Sequence, residues 1–243
     1  MIKLGDTYHV GMESDDIPRI AADDRTPREA VSRAYYKLRE VATRTNVLKW
    51  ANDVSESRIC ALDVGASPGG WSYFLSAKCK HVHAVDPAEM ASPIPENVTH
   101  YQDKIENVVS KEIIKPNSIH LYVCDMNANP RVMITVFESA TSLLVHGAVV
   151  VLTFKSFKDN GGESKKAFLE GGDDGKWKDP KKDEAAFDLL RVPMRIKMYS
   201  LLELLQREYI IPNTLQVLHL MSNGVQERTA VFQFRRSLSP SSS

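Results

Sequence analysis

This chain has no excess of charge of either sign. Its 31 Lys and Arg are matched by 31 Asp and Glu, for a formal net charge of +0. A protein that holds a large structured nucleic acid through its phosphates shows a basic excess. Any phosphate contact here must come from a local patch, or from a partner protein that adds basic surface. Cysteine is scarce. Cys60, Cys79 and Cys124 are odd in number and none makes a C-x-x-C pair, which excludes a disulfide framework and a cysteine zinc site. A reducing compartment, cytoplasm or nucleus, is the expectation. No apolar run approaches the length of a membrane span; the longest, 143–154, contains His146 and Gly147. The first residues, Met-Ile-Lys-Leu-Gly-Asp, lack a signal-peptide pattern.

What is present is regular. The chain of 243 residues, 43% hydrophobic and 26% charged, suits one α/β domain with a good core. Residues 1–25 are polar and aperiodic and read as a loose N-terminal arm. Thr26-Pro27-Arg28-Glu29 is a capping box with proline at the first helical position. It predicts a helix from Pro27 to about Thr43 that buries Ala30, Ala34, Leu38 and Val41. A short helix is expected over 47–51. Strand-like runs follow at 58–64, 81–86, 98–101, 118–125 and 148–154, with helical stretches at 70–77, 104–112 and 131–144. Such alternation implies a parallel sheet with helices on both faces. Residues 196–208 are helical in pattern, and 214–220 with 228–234 read as a closing antiparallel strand pair. The domain is expected over 26–236. It carries a glycine-rich, charge-balanced insertion at about 158–184 that reads as a mobile loop. Residues 237–243 read as a disordered serine tail.

One stretch says more than the rest. Ala61-Leu62-Asp63-Val64-Gly65-Ala66-Ser67-Pro68-Gly69-Gly70-Trp71 is a short strand that breaks into a glycine turn and opens a helix. In an open α/β sheet, a nucleotide-like ligand sits at the carboxyl end of such a strand. Glycines leave out side chains where a ligand approaches the backbone, and Pro68 is placed to start the helix. Neither G-x-G-x-x-G nor a phosphate loop is present. That favours a nucleoside without a pyrophosphate, and S-adenosylmethionine fits. Asp86, about 20 residues after the turn, is placed to accept hydrogen bonds from both ribose hydroxyls.

The run Leu62 to Trp71 resembles the cofactor loop of the FtsJ-type RNA 2′-O-ribose methyltransferases, with Pro-Gly-Gly-Trp as its distinctive part. The resemblance extends from about Ser32 to Phe234 with one long interruption. It implies a Rossmann-like methyltransferase fold with a mostly parallel seven-stranded sheet. It implies S-adenosylmethionine bound by Gly65, Ser67, Pro68, Gly69, Gly70, Trp71, Asp86, Asp103 and Asp125, with Asp103 on the adenine amino group. Trp71 either walls that pocket or packs the helix on the sheet, and Asp103 has helix capping as an alternative.

The resemblance also implies a Lys-Asp-Lys-Glu set around the target hydroxyl. Ser32-Arg33-Ala34-Tyr35-Tyr36-Lys37-Leu38 supplies Lys37, Cys124-Asp125-Met126 supplies Asp125, Phe154-Lys155-Ser156-Phe157 supplies Lys155, and Gln226-Glu227-Arg228 supplies Glu227. The chemistry wants these types. A ribose hydroxyl is a weak acid, and a partly desolvated lysine among other charges can accept its proton. Lys155 is the candidate acceptor, because a lysine in so apolar a run is costly unless it reaches a partner. Asp125 holds it, and Lys37 and Glu227 complete a charge-balanced network.

Two features depart from the family. Asp125 is followed by Met126-Asn127-Ala128-Asn129-Pro130 rather than Met-Ala-Pro-Asn, and the 158–184 insertion is long. Basic residues that could meet RNA are Arg25, Arg28, Arg33, Lys37, Arg39 and Arg44, interleaved with Tyr35 and Tyr36; Arg191, Arg195 and Lys197; and Arg235 with Arg236. The RNA, whether ribosomal, transfer or an mRNA cap, and the oligomeric state stay open. So do two alternatives: a catalytically silent RNA-binding scaffold of the same fold, and a methyltransferase with a non-RNA acceptor.

Overall fold

The computed structural model describes residues 2–4, 7–9, 32–56, 58–155, 202–221 and 227–236. A short hairpin, β1 (Ile2–Leu4) and β2 (Thr7–His9), precedes the main body. That body runs α1 (Ala34–Arg44), α2 (Val47–Ser55), β3 (Cys60–Val64), α3 (Gly70–Ser76), β4 (His81–Val85), β5 (Val98–Tyr101), α4 (Ile105–Ser110), β6 (Ile119–Cys124), α5 (Pro130–Ala140), β7 (Leu144–Phe154), a helix over 202–208, β8 (Gln216–Leu218) and β9 (Arg228–Gln233). Strands β3 to β9 form a seven-stranded sheet in the order β5-β4-β3-β6-β7-β9-β8. Every neighbouring pair is parallel except those of β9, which runs against both β7 and β8. This is the Rossmann-like methyltransferase sheet expected from the sequence.

Two cores sandwich the sheet. On one face α4, α5 and the helix over 202–208 bury Ile105, Val108, Met133, Phe137, Leu202 and Leu205. On the other, α1, α2 and α3 bury Leu38, Val41, Ala51, Trp71 and Phe74. The central strands are apolar along their length because both of their faces are covered. Strand order reverses between β3 and β6, so a crevice opens at their carboxyl ends, where ligands bind in such sheets.

Four local expectations are corrected. Residues 2–4 and 7–9 of the N-terminal arm are paired antiparallel rather than loose. Helix α1 starts at Ala34, since Ser32 and Arg33 form a turn in which Tyr35 N–H donates to Ser32 O at 3.1 Å, and the expected helix start at Pro27 lies outside the described residues. Helix α3 begins at Gly70 with Gly69 as its left-handed cap at φ 115°, so Pro68 lies in the turn before it. Strand β7 begins at Leu144 rather than 148. Its pairing with β6 shifts register beside Gly147, whose φ is +82°. The run 143–154 hides this irregularity, because it is apolar apart from His146 and Gly147 and shows no alternation that would mark where the strand begins. Helix α5 starts as its sequence indicates, with Pro130 in its first turn and the Asn129 side chain accepting from Arg131 N–H at 3.0 Å. The 158–184 insertion, the 237–243 tail and most of the N-terminal arm lie outside the described residues. Among the described residues no helix is long and apolar enough to cross a membrane.

Candidate active site

The turn after β3 is built around a close approach. Gly65 has φ +77°, and its N–H donates to Val85 O at 2.9 Å. A Cβ there would lie 2.7 Å from Met126 Cβ, on the turn after β6. A Cβ on Gly70 would stand 2.2 Å from Ser32 Oγ. These two glycines let the turns after β3 and β6, and the start of α1, close around one cavity of about 700 Å³. Its walls include Val64, Ile105 and Val132. Its charged lining is Asp63, Asp86, Asp103, Glu106 and Asp125 against Lys104 and Lys155. Such an excess of carboxylates disfavours a di- or triphosphate and favours a ligand with positive groups.

The expected cofactor residues are largely together. Gly65, Ser67, Pro68, Gly70, Trp71, Asp86, Asp103 and Asp125 all line the cavity, while Gly69 is buried behind it as the helix cap. Asp86 follows β4, its carboxylate accepting from Ser67 N–H at 3.0 Å and Ala88 N–H at 2.8 Å. It therefore shapes the glycine turn as well as facing the cavity. Asp103 accepts from Lys104 N–H, the Asn107 side chain and Lys111 Nζ at 2.8, 2.6 and 2.9 Å. Those bonds, led by the one from Asn107, hold its carboxyl down near about 2. Trp71 lines the cavity, packs in the α1–α3 core, and donates from Nε1 to Ala34 O at 2.7 Å.

Ser32 and Asp63 are among the lining residues that received no role from the sequence. Among the described residues, Ser32 Oγ is buried without a hydrogen-bond partner at the cavity wall. Nothing local in the chain signals this, because it follows from α1 packing against α3. Asp63 is 1% exposed inside β3 and accepts from Ser72 Oγ at 2.7 Å. An acid in an otherwise apolar strand was a readable signal, by the same argument that singled out Lys155. Burial pushes the Asp63 carboxyl from its ordinary 3.8 up to about 7, against the Ser72 bond and helped by Asp125 and Asp86.

That shift carries a sign. A carboxyl raised in the folded state contributes stability that is fully present below pH about 3.8. The contribution is lost as pH rises and gone above about 7. Asp63→Asn keeps an acceptor for Ser72 and removes the titration. Its melting temperature is therefore expected to gain on wild type between pH 5 and 8, by about 2–4 °C for each kcal/mol. Calorimetry of the ligand-free protein checks this; a constant difference across that range would show Asp63 ionised in the folded chain throughout.

The four members of the Lys-Asp-Lys-Glu set converge at one wall of the cavity, where Asp125 and Lys155 line it. Lys37 is 9% exposed on α1, so it is not a solvated lysine on an outer helix face. Its Nζ donates to Asp125 Oδ1 and Oδ2 at 3.3 and 3.2 Å and to Glu227 Oε2 at 3.0 Å. Lys155 Nζ lies 3.1 Å from Asp125 Oδ1 and donates to the main-chain oxygen of Asp125 at 2.6 Å. Asp125 directly follows β6 and Lys155 directly follows β7, both at the carboxyl edge. Glu227 precedes β9 and reaches the same edge only because β9 runs antiparallel, with Phe154 opposite Arg228. One rung below, the Thr153 and Thr229 hydroxyls share a buried hydrogen bond of 3.1 Å. Positive and negative groups alternate, so each charge faces opposite neighbours. Lys155 and Asp125 line the cavity.

Residues 30–177 match the FtsJ-like methyltransferase family. The chain belongs to that family. The ribosomal RNA large subunit methyltransferase E of Wigglesworthia glossinidia brevipalpis is 34% identical over 103 residues, 40% of this chain and 46% of that protein. The ribosomal RNA large subunit methyltransferase M of Serratia proteamaculans (strain 568) is 35% identical over 140 residues, 55% of this chain and 33% of that protein. The chain thus spans less than half the length of these curated relatives. A candidate hemolysin of solved structure from Lactococcus lactis shares the fold, with TM-score 0.52 and 16% identity over 84% of this chain and 88% of that one. FtsJ-like methyltransferases use S-adenosylmethionine, and the cavity fits it. The acidic lining suits its sulfonium and ammonium groups, and the apolar walls suit a flat base.

Proposed function

We propose that this chain transfers a methyl group from S-adenosylmethionine to a ribose 2′-hydroxyl of RNA. The observation that carries the reading is the Lys37–Asp125–Lys155–Glu227 cluster at one wall of an acidic, nucleoside-sized cavity. When bound, S-adenosylmethionine supplies an electrophilic methyl on a positively charged sulfur. Lys155, which lines the cavity where Lys37 does not, accepts the hydroxyl proton on its free amine as the oxygen–carbon bond forms and the carbon–sulfur bond breaks, the electron pair leaving with sulfur as a neutral thioether. Asp125 fixes Lys155 through both its carboxylate and its main-chain oxygen. Lys37 sits between Asp125 and Glu227, ties the two carboxylates together and steadies negative charge developing on the ribose oxygen.

The deciding experiment offers labelled S-adenosylmethionine and RNA lacking 2′-O-methyl groups to the protein. Label is expected in ribose, at linkages that become resistant to alkali. Large-subunit ribosomal RNA is the first substrate to test, since two matched relatives carry that name. Label in a base, in protein or nowhere would overturn the reading.

RNA is proposed to approach along α1, where Arg33 and Tyr36 are exposed and Arg39 is half-buried. Replacing Arg33 and Arg39 with glutamine is expected to weaken RNA binding and flatten its salt dependence. The slope against log salt should fall by about 1.4, for two phosphate contacts on single-stranded RNA. Cofactor affinity should stay as it is. An unaltered slope would remove this helix from the RNA path. With no net positive charge to spread over a large RNA, a protein partner that adds basic surface is part of the proposal.

A further inference from the structure

His100 is a half-buried side chain on β5 to which the proposed reaction gives no role. The ladder between β4 and β5 ends at the pair Val85–Tyr101, and Asp86 is the first residue past it. Beyond the ladder, the Asp86 carbonyl is met by a side chain. His100 Nε2 lies 3.1 Å from that oxygen. A carbonyl only accepts, so this ring nitrogen carries the proton and donates it. On the other side of the same Cα, the Asp86 N–H donates to Tyr101 O at 3.2 Å. Residue 87 is proline, so the peptide unit after Asp86 has no N–H, and its carbonyl is the one polar group by which it can be held. The two bonds fix the peptide units on both sides of Asp86. With both units fixed, the two soft dihedrals of the residue are set, and with them the direction of its Cα–Cβ bond. Packing does little here, since Pro87, Ala88 and Glu89 are exposed.

We infer that His100 is a positioning residue for cofactor binding: by holding the Asp86 carbonyl it aims the Asp86 carboxylate at the ribose. The inference rests on Asp86 being the acceptor for the cofactor's ribose hydroxyls. Asp86 lines the cavity, and its carboxylate accepts from Ser67 N–H and Ala88 N–H at 3.0 and 2.8 Å. A carboxylate has about four acceptor sites, so two hydroxyls can still be received. Bonds from hydroxyls are short, roughly 2.5–3.0 Å, and weaken steeply as their angles open. A small turn of the Cα–Cβ bond is therefore enough to lose them. Asp103, the residue expected on the adenine, hangs from the same strand, its N–H donating to Tyr101 O at 2.8 Å. Tyr101 O thus serves both acids, while His100 holds Asp86 alone. Loss of the imidazole should be felt at the ribose and not at the base.

The test is calorimetric binding of S-adenosylhomocysteine and of its 2′,3′-dideoxyribose analogue. His100→Leu keeps an apolar contact and removes the donor. It is expected to weaken S-adenosylhomocysteine about tenfold, and the analogue, which offers Asp86 no hydroxyl, by less than about twofold. His100→Gln, whose Nε2 donates from a similar reach, should bind both ligands as wild type does. A merely structural residue does not distinguish the ligands. Equal weakening of both, unchanged binding of both, or a glutamine variant as weak as the leucine one overturns the inference. Asp86→Ala, measured alongside, tells two failures apart. If it discriminates between the ligands and His100→Leu does not, the inference alone falls. If Asp86→Ala does not discriminate either, the ribose role of Asp86 falls and the inference with it. Only binding is read, so a wild type that methylates no RNA counts against the proposed function alone. If His100→Leu does not fold, His100→Phe, a ring without a donor, takes its place in the same comparison.

Discussion

Replacing Lys155 with alanine is expected to remove methyl transfer while leaving cofactor binding in place. A positioned proton acceptor contributes about 10²- to 10⁴-fold, and the loss should fall on kcat. The fold should survive. Lys155 is at the cavity wall, and without it Asp125 still pairs with Lys37 at 3.2 Å, so no carboxylate is stranded. Lys155→Arg should not rescue, because a guanidinium keeps the charge and does not deprotonate. Single-turnover transfer beside equilibrium cofactor binding separates the outcomes. Retained turnover in Lys155→Ala would move the proton to another acceptor, and loss of cofactor binding would make Lys155 a binding residue.

Gly65→Ala should fail at the cofactor and in stability together. At φ +77° an added Cβ is strained whatever the space, at a cost of about 1–2 kcal/mol. Overpacking against Met126 Cβ at 2.7 Å adds about 1–3 kcal/mol. The sum, about 2–5 kcal/mol, corresponds to a fall in Tm of roughly 5–15 °C. The turns after β3 and β6 must part to make room, and both line the cavity, so cofactor Kd should rise by about tenfold or more. Gly147→Ala is the control. Gly147 also has positive φ, at +82°, and its Cβ would meet Val54 Cγ2 at 3.2 Å, away from the cavity lining. It should lose stability and keep cofactor affinity. Equal loss of affinity in both variants would mean that the Gly65 effect is global rather than local.

Much of the fold was legible because its signals are local. The βα alternation follows from apolar runs punctuated by glycine and proline, and it yields five of the seven main strands in order. The glycine turn after β3 could be read because positive φ and close approach both require glycine, and Gly65 shows both. The misread places have non-local causes. Ser32 and Arg33 leave the helix where the chain packs against Gly70. The irregular start of β7 lies in a run without alternation, where β6 and β7 shift register beside Gly147. Ser32 entered the site only once three elements surrounded one cavity, whereas Asp63, an acid inside an apolar strand, carried a local signal.

The four charged residues divide the same way. Their types and order were visible along the chain, and of the four only Lys155, a lysine in an apolar run, stood out on its own. The sequence by itself determined the alternation of elements, the glycine turn that admits a nucleoside, and the supply of two lysines and two acids, because each depends on neighbours within a few residues. Only the tertiary structure decided that these charges meet. Lys37 and Glu227 are 190 residues apart, yet their side chains come within 3.0 Å. They do so because β9 alone runs antiparallel and begins at the edge where β6 and β7 end. Desolvation there leaves each charge its opposite neighbours as partners.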